Sequence, residues 1–310
     1  MMRETILYRF SGAGNDFVVI DGREGDMSAF REVSRIEALC KEYKTDGLMI
    51  LGQEMPGQAG HDSKTQAGHD VMADPDRPSV DFTMEFYNPD GSGGMMCGNG
   101  GRCIVAFADY LGIKPASGDV FLFRAPDGLH TGEILERPED GLWTVRIKMI
   151  DVRGITPVLG GYFLNTGTRH FVKFVPDVEA VDVETEGKAL RWNEAFAPIG
   201  TNVNFVHVAP DGLHVRTFEK GVEGETLACG TGLTASAIAA YEISRLRPAD
   251  SARNDRDTVI STKAEGRVEK SYRLRARQDW LSVNFTPGPE DTFTNVYLTG
   301  PARLVGIKEG

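Results

Sequence analysis

Cysteine is scarce, with four residues in 310. That is too few for a disulfide framework, and no Cys-x-x-Cys pair or Cys/His cluster at zinc spacing occurs. Reduced thiols and no metal site are the expectation. Long apolar runs are also lacking: no stretch of about 18 apolar residues could span a bilayer. Met1-Met2-Arg3-Glu4 leads into a strand-like segment where a secretory signal would carry its apolar core. The cytoplasm is therefore the expected compartment. Basic residues are outnumbered, 34 Lys and Arg against 45 Asp and Glu, for a net charge of -11. Nucleic acid and anionic membranes need a basic patch that releases counterions, so neither is an expected partner. No glycine-rich phosphate cradle and no lysine in a Schiff-base setting is evident, so no cofactor is expected.

What is present is a globular composition, 41% hydrophobic, long enough for two ordinary domains. Alternating apolar segments predict strands at Thr5 to Phe10, Phe17 to Asp21, Phe82 to Tyr87, Val120 to Arg124, Trp143 to Ile150, Phe171 to Val175, Val203 to Val208 and Leu213 to Phe218. The apolar spacing over Ala29 to Tyr43 predicts one amphipathic helix, so the class is mixed α+β. Gln53 to Pro78 interrupts this pattern. It is poor in large apolar residues and repeats Gln-Ala-Gly-His-Asp, ending at His61-Asp62 and again at His69-Asp70, as a surface insertion would. Pro126-Asp127-Gly128 and Glu139-Asp140-Gly141 are turn signals, and the second marks a domain boundary.

Two cysteines occupy matching glycine frames, Cys97-Gly98-Asn99-Gly100 and Cys229-Gly230-Thr231-Gly232. Each follows a strand-like segment and precedes a predicted helix, Arg102 to Leu111 in the first case and Leu233 to Ile243 in the second. A thiol at a helix N-terminus feels the positive end of the macrodipole, which favours its thiolate. Two such thiols can act as base and acid, and the N–H groups of the helix starts can hold a carboxylate between them. The chemistry this fits is inversion at the α-carbon of an amino or hydroxy acid. Without a pyridoxal electron sink, such a site needs opposed acid and base, donors to the growing enediolate, and exclusion of water.

Cys40 and Cys103 lie in no such frame and read as small buried hydrophobes. His170, at a predicted strand start, is open between a structural role and one tuning a thiol. Glu219 and Lys220 open a charged segment, Glu219 to Glu225, that composition alone would place on the surface.

Taken together, Gly12-Ala13-Gly14-Asn15-Asp16-Phe17, Tyr87-Asn88-Pro89-Asp90-Gly91-Ser92, Met96-Cys97-Gly98-Asn99-Gly100-Gly101-Arg102-Cys103 and Glu225-Thr226-Leu227-Ala228-Cys229-Gly230-Thr231-Gly232 resemble the diaminopimelate epimerase family over nearly the whole chain. Proline racemase-like relatives share the two-thiol plan, but their first frame typically reads Cys-Gly-His. The resemblance implies two pseudo-symmetric α/β domains facing across a central cleft. These are placed at 1–141 and 142–298, with 299–310 returning to the first. It implies pyridoxal-independent interconversion of LL- and meso-2,6-diaminopimelate on the route to lysine and peptidoglycan. Cys97 and Cys229 would be the acid–base pair, assisted by His170 and Glu219. Asn15, Asn88, Gly98, Asn99, Thr168, Asn202, Glu219, Lys220, Gly230 and Thr231 would surround the substrate. A small amino acid is the implied ligand, and a homodimer is compatible with all of this.

Three departures bear on specificity. Thr168-Arg169 stands where the family usually has Asn-Pro, Lys220 stands where Arg is common, and the insertion precedes Asn88. Lysine offers a point charge in place of a two-pronged fork on a carboxylate. Thr168, Arg169 and Lys220 keep open a two-thiol racemase of another amino acid, and a non-catalytic amino-acid-binding protein stands as the alternative from another class.

Overall fold

A computed structural model describes residues 5–53, 78–94, 96–116, 118–137, 140–246, 259–264 and 267–309. The repeated His-Asp segment lies outside the described residues. Among these residues the fold is mostly strands with a few helices, and no helix is long and apolar enough to cross a membrane. The chain divides into two compact units, one running to Ile147 and including Ala302 onward, the other Lys148–Pro301.

The first unit runs β1 (Ile6–Gly12), β2 (Asn15–Asp21), α1 (Ser28–Arg31), α2 (Val33–Tyr43), β3 (Gly47–Gly52), β4 (Phe82–Tyr87), α3 (Gly98–Tyr110), β5 (Val120–Ala125), β6 (Gly128–Glu136) and β7 (Leu142–Lys148). Ala13 and Gly14, both at positive φ, close the β1–β2 hairpin in two residues, the turn that matches strand twist. Strand β2 lies parallel to β3, and β4 parallel to β5, so the intervening helices cross over the sheet. Alternation along β2 and β3 sends Val18, Ile20, Leu48 and Ile50 to one face, where Ile36, Leu39 and Cys40 of α2 cover them. The opposite face receives α3, which is buried from Gly98 to Ala108. Helix α3 approaches so closely that a Cβ on Gly12 would stand 2.8 Å from the Asn99 carbonyl oxygen and 2.9 Å from Cys103 Sγ.

Instead of one helix over Ala29 to Tyr43 there are two, because Glu32 is extended (φ -67°, ψ 127°). Its carbonyl accepts from Arg35 and Ile36 and so begins α2 afresh. The kink sets Val33 against Gly91 while the apolar stripe of α2 keeps its grip on the sheet.

The second unit contains β8 (Val152–Arg153), β9 (Thr156–Val158), β10 (Gly161–Asn165), β11 (Arg169–Phe174), α4 (Val183–Arg191), β12 (Asn202–Ala209), β13 (Gly212–Glu219), β14 (Gly224–Thr226), α5 (Gly230–Leu246), β15 (Val259–Ala264), β16 (Arg267–Arg275), β17 (Trp280–Pro287) and β18 (Thr292–Glu309). Asp182 caps α4, its side chain accepting the Thr185 N–H at 3.1 Å. Strands β11 and β12 pair in parallel, His170 opposite Asn202, with α4 as crossover; β13 and β16 pair in parallel beyond α5. Period-two alternation divides β12: Val203 and Phe205 join Phe171, Phe218 and Val183 in the core under α4, whereas Asn202 and Asn204 face α5. The end of β18, from Ala302 onward, belongs to the first unit, where six of its residues pair antiparallel with β1 from Ile6 opposite Glu309 to Ser11 opposite Arg303.

Candidate active site

In the first unit, α3 starts immediately after Cys97, four residues earlier than sequence periodicity places it. Glycine weighs against helix on propensity, which hides a first turn made of Gly98, Asn99, Gly100 and Gly101. Cys97 is the N-cap (φ -97°, ψ 150°). Its Sγ accepts the Gly100 N–H at 3.2 Å and its carbonyl accepts the Gly101 N–H at 2.8 Å. The exposed sulfur therefore lies on the positive end of a 13-residue helix that follows the carboxyl end of β4.

Asn99 is buried beneath it. The Asn99 Nδ2 donates to Asn15 Oδ1 at the start of β2, and Asn99 Oδ1 accepts from the Arg102 guanidinium at 2.8 Å. The same fully buried Arg102 donates to the Gly98 carbonyl at 3.1 Å and so locks the turn below the thiol. Asn88 stands in the loop between β4 and Cys97, its amide donating to Ser92 Oγ at 3.0 Å. Cys103 and Cys40 are buried, and burial pushes both thiols up.

In the second unit, α5 likewise begins at once after its cysteine, at Gly230, three residues earlier than periodicity indicates. Cys229 is 8% exposed, and its carbonyl accepts the Leu233 N–H at 2.9 Å. A hydroxyl cluster surrounds it. Thr231 Oγ1 stands 3.4 Å from Cys229 Sγ, 2.9 Å from His170 Nε2 and 3.1 Å from Thr168 Oγ1, while Thr168 Oγ1 is 2.9 Å from His170 Nε2. Asn202 Nδ2 donates to the Arg169 carbonyl at 2.9 Å and to Thr168 Oγ1 at 3.3 Å; Asn202 Oδ1 takes the Lys220 N–H at 2.8 Å. His170 is wholly buried, which pushes its pKa down to about 3 and keeps it neutral near pH 7.

Glu219 ends β13 part-buried, not on an open surface, and burial raises its carboxyl above the ordinary range. Lys220 follows it, exposed. The turn beyond is anchored from below, the buried Arg191 donating to Glu223 Oε1 at 3.2 Å and to the Ile199 carbonyl at 3.2 Å.

The structure thus gathers Asn15, Gly98 and Asn99 around Cys97 in one unit. In the other it gathers Thr168, His170, Asn202, Gly230 and Thr231 around Cys229, with Lys220 tied on through Asn202. Sequence reasoning passed over Arg102 and Asn204. Each left a signal: a charged residue immediately before the apolar run Cys103 to Ala108, and a polar residue repeating at spacing two from Asn202 within a strand of Val and Phe.

Comparison with known proteins follows the same lines. The sequence profile of the diaminopimelate epimerase family matches residues 162–272. The diaminopimelate epimerase of Flavobacterium psychrophilum is 33% identical over 305 residues, covering 96% of this chain and 97% of that protein. That of Chlorobaculum tepidum is 34% identical, covering 95% and 97%. The Aquifex aeolicus enzyme is 40% identical over 257 residues, covering 76% of this chain and 80% of that protein. Among solved structures, a PhzF-family phenazine biosynthesis protein from Bacillus anthracis matches with a TM-score of 0.65 at 11% identity, covering 100% of this chain and 99% of that one. A hydroxyproline epimerase from Agrobacterium vitis matches with a TM-score of 0.57 at 14% identity, covering 99% and 92%. These two establish a shared fold.

Proposed function

Since the chain belongs to the diaminopimelate epimerase family, we infer that it is an isomerase interconverting LL- and meso-2,6-diaminopimelate, and we propose that Cys97 and Cys229 do so as a two-thiol acid–base pair. The observation that carries the mechanism is the repeated placement of a cysteine immediately before a helix, Cys97 before α3 and Cys229 before α5. One thiolate removes the α-proton and the other thiol delivers its proton to the opposite face, so a turnover leaves the two protonation states exchanged. Inversion then requires each unit to present its thiol to one face of the same α-carbon, as two α/β halves facing across a cleft would do. Charge that moves into the carboxylate would meet the N–H groups of Gly98 and Asn99 and of Gly230 and Thr231 at the helix starts. No cofactor enters this scheme.

Thr168 and Lys220 favour a second reading, a racemase of another amino acid, because both replace residues usual in the family. One experiment separates the readings: incubation with single amino acids in deuterated water, with α-deuterium followed by mass spectrometry. Exchange with diaminopimelate alone supports the epimerase. Exchange with a different amino acid selects the second reading, and no exchange at all selects a binding protein. Cys97→Ala and Cys229→Ala should each abolish epimerisation, and Cys→Ser should be less damaging, since a hydroxyl keeps the position but is a far weaker acid than a thiol of pKa about 8.5. Wild-type turnover in either Ala variant overturns the two-base mechanism.

A further inference from the structure

Asn204 is fully buried on β12 and touches the ring of His170 from the side away from Cys229. Its amide orientation is fixed by partners whose roles admit no choice. The Phe171 carbonyl can only accept, and it lies 3.2 Å from Asn204 Nδ2. The second hydrogen of that nitrogen then points to His170 Nδ1 at 3.0 Å, while Asn204 Oδ1 takes the Thr217 hydroxyl at 3.0 Å. A nitrogen that accepts a hydrogen bond carries no proton, so the single proton of the neutral imidazole sits on Nε2.

From Nε2 the direction of every further bond follows. Nε2–H donates into the Thr168 and Thr231 hydroxyls, both 2.9 Å away. Thr168 Oγ1 also receives Asn202 Nδ2, whose own orientation is fixed by the Arg169 carbonyl and the Lys220 N–H. Occupied by these two donors, Thr168 turns its own hydrogen to Thr231 Oγ1, 3.1 Å away, so the Thr231 hydrogen is left to point at Cys229 Sγ, 3.4 Å away. Helix α5 is seated on this pair: a Cβ on Gly232 would stand 2.3 Å from Asn204 Oδ1 and 3.3 Å from His170 Cε1.

We propose that Asn204 is a positioning residue for the reaction: by holding His170 as the Nε2–H tautomer, it turns the Thr231 hydroxyl into a donor to Cys229 Sγ and favours the thiolate that accepts the α-proton. The proposal rests on Cys229 being one of the acid–base pair. A sulfur that receives a hydrogen bond is favoured as thiolate. Loss of one hydrogen bond to a charged group corresponds to roughly a 10- to 100-fold fall in kcat with little change in KM.

The tautomer is read directly by 15N NMR of the histidine rings in the full-length protein, with the His170 signals identified by their loss in His170→Gln. The expected result is an unprotonated Nδ1 and a protonated Nε2; a proton on Nδ1 overturns the proposal whatever the activity. Asn204→Asp removes the donor at nearly constant size, and Asn204→Ser serves if the Asp variant does not fold. Either should cost the stated 10- to 100-fold in kcat in the wild-type background but less than about two-fold when Thr231 is already Val, because the effect passes through that hydroxyl. An equal loss in both backgrounds would make Asn204 a packing residue only. Should the wild-type protein fail to exchange the α-proton of diaminopimelate, the reaction falls, and the tautomer measurement still decides whether the lock exists.

Discussion

Arg169 carries its guanidinium over the Phe163 ring at 5.1 Å, and Phe163 packs into the core that α4 covers. The next residue, His170, faces α5 and the thiol cluster, since neighbours in a strand point to opposite faces. Arg169 and Lys220, the two cations at which the sequence departs from the family's usual residues, are therefore not equivalent. Arg169→Ala should leave kcat/KM within about three-fold. Lys220→Ala should raise KM for diaminopimelate roughly 10- to 100-fold at nearly constant kcat, the signature of uniform binding through a charge-assisted contact. Steady-state constants for both variants and the double mutant check this; a large loss in Arg169→Ala would mean the guanidinium leaves Phe163 when substrate binds.

At the scale of elements, the critical geometry is the fit of each helix start onto its sheet. Gly232→Ala places a methyl 2.3 Å from Asn204 Oδ1, so either α5 lifts or the amide turns. Overpacking of this kind costs typically about 1–3 kcal/mol. The expected result is a lower urea midpoint together with reduced kcat, measured by chemical denaturation and deuterium exchange. Phe171→Ala, on the other face of β11, should cost about 3–5 kcal/mol while the active protein that remains keeps its KM.

Strands with clean alternation, such as Phe82–Tyr87 and Gly212–Glu219, were legible in the sequence to within a residue or two. The cysteine frames were legible too, as glycine around a reactive residue is conspicuous. What escaped was the true start of α3 and α5, hidden by glycine, and the break at Glu32, where periodicity runs on through a backbone that does not. Asn204 escaped for another reason. A buried polar residue gains meaning only from the histidine and threonine that surround it, and those contacts span 34 and 13 positions of chain.

For the molecule as a whole, the buried neutral His170 ties stability to pH. Its pKa is about 3 in the folded protein against an ordinary 6.5. Between those values the unfolded chain binds a proton that the folded one refuses, so stability rises with pH up to about 6.5 and is lost as pH falls below it. The slope attributable to this group is about 1.4 kcal/mol per pH unit. Urea midpoints at pH 7 and pH 5 should differ more for the wild type than for His170→Gln; equal differences would show that the ring titrates in the folded state. Long-range pairing is the part of the architecture least visible in local pattern, since alternation identifies a strand but not its partner. The antiparallel ladder between Ile6–Ser11 and Arg303–Glu309 is the extreme case. During synthesis β1 is made early, and its second neighbour in this ladder arrives only after nearly all the rest of the chain. Until then one edge of β1 is bare, and a bare apolar edge invites pairing with a neighbouring chain on the polysome. Nascent chains halted before Ala302 should crosslink to one another or hold a chaperone, and release of the remaining residues should end both.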